Sequence, residues 1–271
     1  MLGPAALLQL LDTAFNGKRI TRLTVEHDRV LAIQSTARDV GLICLRAPVD
    51  YRRSHSDDGL QRLHGGGFVP SGSEGQTQAV LYFAREIDDL ARAVHADLAE
   101  DHETIGALFG YPACCVGRFA RGQGAGTAAQ DQTAASMSGL GPFEGLMNPA
   151  LRLFRSIRTH FHFPCALSCA ETLAAARARM KALAEISPTL RRAADLGSGL
   201  LIYSPTGGAV WGDAEFGPGR RSLIVRESML PAPLELPAGA VLTIDLRDHR
   251  QFRVGGVSFS NPDRRCCFFK A

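Results

Sequence analysis

The sequence predicts an α+β protein in which a central helical segment, carrying candidate metal ligands, lies between two mainly β portions. Three observations lead there. Short apolar, β-branched runs gather at both ends of the chain, apolar residues recur at helical spacing in the middle, and four cysteines form two proline-preceded pairs inside that middle part. The resulting division is 1–84 (an N-terminal α/β portion), 85–195 (a helical cysteine-site portion) and 196–271 (a C-terminal β portion).

The chain opens on MLGPAALLQLLDTAF, which reads as a short amphipathic helix because it lacks the basic leader and small-residue cleavage site of a signal peptide. Strands are expected at Arg19–Val25, Val30–Gln34, Val40–Leu45 and Ala79–Phe83, with Glu26 to Arg29 as a hairpin turn between the first two. The polar, glycine-rich stretch Ser54–Gln78 is expected to be a long loop. In the middle portion, Ile87, Leu90, Ala91, Val94 and Leu98 share one helical face, as do Leu173, Met180, Leu183 and Ile186. Between these helices Arg121–Gly145, rich in Gly, Ala, Gln and Ser, reads as a flexible connection or lid. Strands return at Leu200–Tyr203, Ser222–Arg226, Val241–Leu246 and Phe252–Phe259, punctuated by Thr206-Gly207-Gly208 and Asp248-His249-Arg250.

A chain of 271 residues that is 45% hydrophobic and 21% charged can bury a substantial core. Its net charge of +3 is too small for a nucleic-acid footprint, and its basic residues, mostly arginine, are scattered. Arginine pairs well with flat anions, so a small anionic substrate is compatible with this composition. No uncharged apolar run approaches the roughly 20 residues of a membrane span. These features point to the cytoplasm, where thiols stay reduced, and seven cysteines then suggest metal binding or thiol chemistry more than a disulfide framework.

Two segments carry the chemistry. Gly110-Tyr111-Pro112-Ala113-Cys114-Cys115 and His162-Phe163-Pro164-Cys165-Ala166-Leu167-Ser168-Cys169 each place a proline just before cysteine and helix-forming sequence after it. Proline suits a first helical turn, where its missing N–H costs nothing. The second helix starts at Pro164 or, from the capping-box spacing of Ser168 and Glu171, at Ser168. Free N–H groups and the positive dipole end favour thiolate there, the form that binds metals and attacks electrophiles. Cys114, Cys115, Cys165 and Cys169 are therefore the candidate ligands. Adjacent cysteines point in different directions on a helix, which favours a four-iron (4Fe-4S) cluster over zinc, whose structural sites prefer two- to four-residue spacers. Buried cysteines packed as small hydrophobes are the plain alternative, and a metal-free nucleophile at Cys114 or Cys115 is a further one.

The pattern Gly-Tyr-Pro-x-Cys-Cys, then Asn148 with Arg152, then His162-x-Pro-Cys165-x-x-x-Cys169, resembles a prokaryotic family of unknown function over about Gly110 to Arg177. More loosely it is similar to epoxyqueuosine reductase of the vicinal-cysteine type and to the cysteine-rich domains of heterodisulfide reductases. It departs from both: the last spacer is three residues, and Val116 stands where the latter have glycine. The resemblance implies that a vicinal pair and a distal pair can hold one cluster. A tRNA substrate does not carry over.

Beside the cysteines, His162 is a candidate ligand or proton donor, with helix-entry hydrogen bonding as the plain reading. Asn148 and Arg152, four apart on an expected helix, form a candidate anion clamp, and equally fit a helix cap and a surface arginine. Cys266 and Cys267 sit near a chain end, where mobility is usual, and would act as redox or sulfur-carrying thiols only if the tail folds back. Cys44 reads as core. His64-Gly65-Gly66-Gly67 lacks the Gly-x-Ser-x-Gly partner a hydrolase needs, and neither a Walker loop nor a dinucleotide fingerprint is present. Together these features favour an iron–sulfur enzyme of redox or sulfur-transfer chemistry on a small substrate. Its rival is a zinc-stapled accessory protein whose β portions bind a protein partner.

Overall fold

The computed structural model describes residues 4–15, 18–53, 66–73, 77–124, 129–139, 141–155, 157, 159–184, 192–204, 208–217, 220–229, 238–245, 251–254, 257–260 and 265–270, some of them by backbone alone. The chain contains both helices and mainly antiparallel sheets, as an α+β sequence should. It separates into two compact units, Met1–Ser56 with Gln61–Gly126, and Asp57–Leu60 with Thr127–Ala271. That boundary falls inside the helical stretch 85–195 rather than at its ends.

The first unit is built on a four-stranded antiparallel sheet, in the order β1-β4-β2-β3, from β1 (Ile20–Val25), β2 (Ile43–Arg53), β3 (Gly66–Pro70) and β4 (Thr77–Ala84). β4 is central, and each face of it is covered, so the period-2 alternation of a strand feeds two cores. Ala79, Leu81 and Phe83 pack with Leu10 of α1 (Pro4–Phe15) and with Val30, Ile33 and Ala37 of α2 (Val30–Asp39). Val80, Tyr82 and Ala84 pack with Leu90, Ala93 and Ala96 of α3 (Ile87–Leu98) and with Ile105 and Leu108 of α4 (His102–Leu108). Asp97 accepts hydrogen bonds from Tyr82 and Arg22, and the Arg22 guanidinium lies 5.4 Å and 5.5 Å from the Phe68 and Phe109 rings. The buried Asp97 carboxylate needs these donors.

Val30–Gln34, expected as a strand, is the start of α2, and Glu26 to Arg29 lead into it through a 3-10 turn at His27–Arg29 rather than a hairpin. Val30, Ile33 and Ala37 are buried while Leu31 is 80% exposed, a three-to-four residue period that outweighs β-branched composition. Ser54–Gln78 contains β3, which pairs with β2, and its residues 54–65 and 74–76 lie outside the described residues.

The second unit holds an eight-stranded sheet ordered β11-β10-β9-β8-β7-β6-β12-β5. Its members are β5 (Phe143–Glu144), β6 (Gly199–Ser204), β7 (Gly208–Gly217), β8 (Arg220–Met229), β9 (Val241–Asp245), β10 (Gln251–Val254), β11 (Val257–Ser260) and β12 (Arg265–Lys270). Phe252–Phe259, expected as one strand, is a hairpin of two. Near the end of the chain β12 inserts between β6 and β5, where the sequence suggested a loose tail, and Cys267 is fully buried with its thiol donating to the Gly139 carbonyl at 3.4 Å. The Cys266 side chain lies outside the described residues. Trp211, Leu201 and Phe269 form the core with Ala134 of α6 (Ala129–Ser136) and Ala150 of α7 (Pro149–Arg155). The stretch Arg121–Gly145, expected to be flexible, is thus partly helical. α5 (Ala113–Gly124) runs into it and α6 follows, because alanine outweighs the glycines as a helix former. α8 (Ala170–Ala184) and α9 (Ala193–Leu196) complete the described helices.

Candidate metal centre

The Gly110-Tyr111-Pro112 sequence is a helix stop followed by a helix start. Gly110 has φ +71°, and Tyr111 N–H donates back to the Gly106 carbonyl at 3.0 Å, the Schellman pattern that ends α4. The Pro112 carbonyl then accepts from Cys115 and Val116 at 2.9 Å and 3.0 Å, opening α5. Cys114 and Cys115 consequently lie in the first turn, at its positive dipole end. Cys114 is exposed and Cys115 is 1% exposed. The two helices approach closely: a Cβ added at Gly106 would stand 2.6 Å from a Val116 methyl carbon.

The other pair is held differently. α8 begins at Ala170, later than either expected start, so Cys165 lies in a run of turns and Cys169 is the residue that opens the helix, its carbonyl accepting from Leu173 N–H at 3.0 Å. Cys165 is half-buried and Cys169 is 8% exposed. The preceding segment is pinned from several sides. Thr159 donates to the Leu146 carbonyl at 2.6 Å, Arg179 donates to the Thr159 carbonyl at 2.7 Å, and Leu167 N–H donates to the Ser136 carbonyl at 3.1 Å. The Arg179 guanidinium also lies over the Phe161 ring at 4.5 Å.

The sulfur atoms of Cys114, Cys115, Cys165 and Cys169 all lie within 4.8 Å of one another, a group able to hold a metal ion. The Cys114 and Cys115 sulfurs are 3.9 Å apart. The four residues singled out from the sequence are therefore brought together.

His162 Nε2 lies 2.8 Å from Thr172 Oγ1, and that hydroxyl donates to Cys169 Sγ at 3.3 Å. Burial, and then the nearby Arg179 charge, push the His162 imidazole down to about 4, so the ring is neutral near pH 7. A small cavity of about 30 Å³ lies beside it, lined by Thr133, Asn148, Thr159, His160 and Pro164 among others, room for about one water. Thr172, Thr159 and Arg179 had no signal in the sequence beyond the three-residue spacing of Thr172 from Cys169.

Asn148 has both ends of its amide engaged. Its Oδ1 accepts from Ala150 N–H at 2.9 Å and its Nδ2 donates to the Gly197 carbonyl at 2.7 Å, so it caps α7 with Pro149 in the first helical position. Arg152 lies on α7, and its side chain is outside the described residues.

No protein-family model matches this chain, and no similar protein was found among curated sequences or solved structures.

Proposed function

We propose that Cys114, Cys115, Cys165 and Cys169 hold a single tetrahedral ion, zinc first, in a closed centre that organises the cysteine-bearing segments. The spacing of the sulfurs carries this reading. A tetrahedral ion at the zinc–sulfur distance of about 2.3 Å sets its ligands about 3.8 Å apart, which the 4.8 Å limit approaches. A four-iron cluster attaches each thiolate to a different iron and spreads the sulfurs wider, so the preference for a cluster drawn from the vicinal pair gives way to one ion. Four thiolates also fill a tetrahedral shell and leave no position for an activated water, the mark of a structural site. In this reading the protein is a metal-stapled binding or accessory protein rather than an iron–sulfur enzyme.

A second reading has one observation in its favour. Cys114 is exposed while Cys115 and Cys169 are buried, so thiolate chemistry toward an electrophile would begin at Cys114.

Protein purified anaerobically and analysed for metals should carry one zinc per chain and be colourless. Each of the four Cys→Ser variants should lose most of that metal, because ligand loss and metal loss are coupled. Brown protein with iron and acid-labile sulfide would restore the cluster, and metal-free protein with a single reactive Cys114 would leave the thiol reading.

A further inference from the structure

We infer that Thr172 and His162 are positioning residues for this centre, forming a one-way hydrogen-bond relay that ends on the Cys169 sulfur. The inference rests on the tetrathiolate reading above and adds to it the groups that set the sulfur's electron density.

The direction follows from proton counting. Thr172 has one hydroxyl proton, and it points at Cys169 Sγ, 3.3 Å away. The same oxygen lies 2.8 Å from His162 Nε2, so at this contact it must accept. A neutral imidazole has one N–H, and the relay therefore assigns it to Nε2 and leaves Nδ1 as the ring's acceptor. The relay thus runs from His162 Nε2–H to Thr172 Oγ1–H to Cys169 Sγ.

Its surroundings favour permanence. Thr172 is fully buried in the first turn of α8, three residues after Cys169, where helical spacing returns its side chain to the sulfur. A hydrogen bond to a ligating sulfur draws charge from it, lowering its reactivity toward electrophiles and stabilising the buried anionic ligand set that holds the ion. A bond made away from bulk water holds that effect constant. The imidazole, polarising the hydroxyl, strengthens the bond without adding a negative charge, as a carboxylate would.

The test uses the full chain loaded with cobalt(II), whose sulfur-to-cobalt charge-transfer band reports the electron density on its thiolates. Thr172→Val keeps the shape and removes the donor, so the band should move to longer wavelength and transfer of zinc to a chelator should speed up about 10-fold. Thr172→Ser, which keeps the hydroxyl, should match the wild type in both. His162→Phe should shift the band in the same direction by less, and His162→Gln, which keeps a donor, should not. The His162 variants carry the test if Thr172→Val fails to fold, since His162 is only half-buried. Wild-type bands in both Thr172→Val and His162→Phe would overturn the relay and leave the metal centre standing. A wild-type chain that takes up no cobalt would overturn both.

Discussion

Gly106→Ala should loosen the turn that presents Cys114 and Cys115, and its sign is decided by two opposed effects. In an unhindered helix, alanine is preferred over glycine by about 1 kcal/mol. Here the added Cβ would lie 2.6 Å and 2.9 Å from the two Val116 methyl carbons. Val116 follows Cys115 in the first turn of α5, and a β-branched side chain on a helix has one strongly preferred rotamer, so relief requires moving the helix. Overpacking of this kind costs about 1–3 kcal/mol, which exceeds the propensity gain over most of that range. The expected outcome is a net loss of about 1 kcal/mol in urea unfolding, together with weaker zinc retention. Val116→Ala makes room for the new methyl, so the double variant should be less destabilised than the sum of the singles by about 1 kcal/mol, the coupling expected of residues in contact. A Gly106→Ala protein more stable than wild type, or singles that add without coupling, would refute the close α4–α5 approach as the reason for glycine.

Asn148→Ala should cost about 2–3 kcal/mol, from a lost helix cap and a buried Gly197 carbonyl left without its donor. Thermal melting unchanged within error would sink the capping role and return Asn148 to the anion-clamp reading. Burial pushes the Cys44 thiol up from 9.0 to about 11, against a hydrogen bond from Gln34 that lowers it. A folded-state value raised in this way contributes stability below about pH 9 that is lost as the pH climbs toward about 11, because the unfolded thiol ionises first. Urea midpoints measured across that window should therefore fall less in Cys44→Ala than in wild type. An identical fall in both would show that Cys44 is not the group responsible.

The cysteine site was legible because it is written in local chemistry. Proline before cysteine, glycine before proline and helix-forming sequence after both describe the α4–α5 turn almost completely, and it formed as those residues dictate. The second pair was less legible. Ser168 and Glu171 have capping-box spacing, yet Cys169 opens the helix, since tertiary hydrogen bonds from Leu167 and Thr159 hold the preceding segment in turns. Strand against helix failed at Val30–Gln34, where five residues are too few to separate the two periods. β7 and β12 went unread because glycines interrupt the first and a chain end suggested mobility for the second. Their pairing with β6 is long-range information. Thr172 and Arg179 belong to the same category: nothing local marks a threonine that aims at a sulfur or an arginine that ties a loop.

Charge explains why this centre needs its particular neighbours. Four thiolates around a doubly charged cation leave a net charge of about −2, and Cys115 and Cys169 are nearly out of water. Burying that charge requires donors, and an acidic neighbour would add to the cost. The fold supplies donors. The first turn of α5 holds Cys114 and Cys115 at its positive dipole end, and the start of α8 does the same for Cys169. Thr172 adds a hydroxyl to the same sulfur. The neutral His162 behind it extends the donor chain, while Arg179, which helps depress that imidazole, places a positive charge on the same side. Thiols release protons when they take up a metal, so zinc uptake by this centre should fall as the pH is lowered. Zinc uptake that stays constant between pH 6 and 8 would show that these thiols are not its ligands.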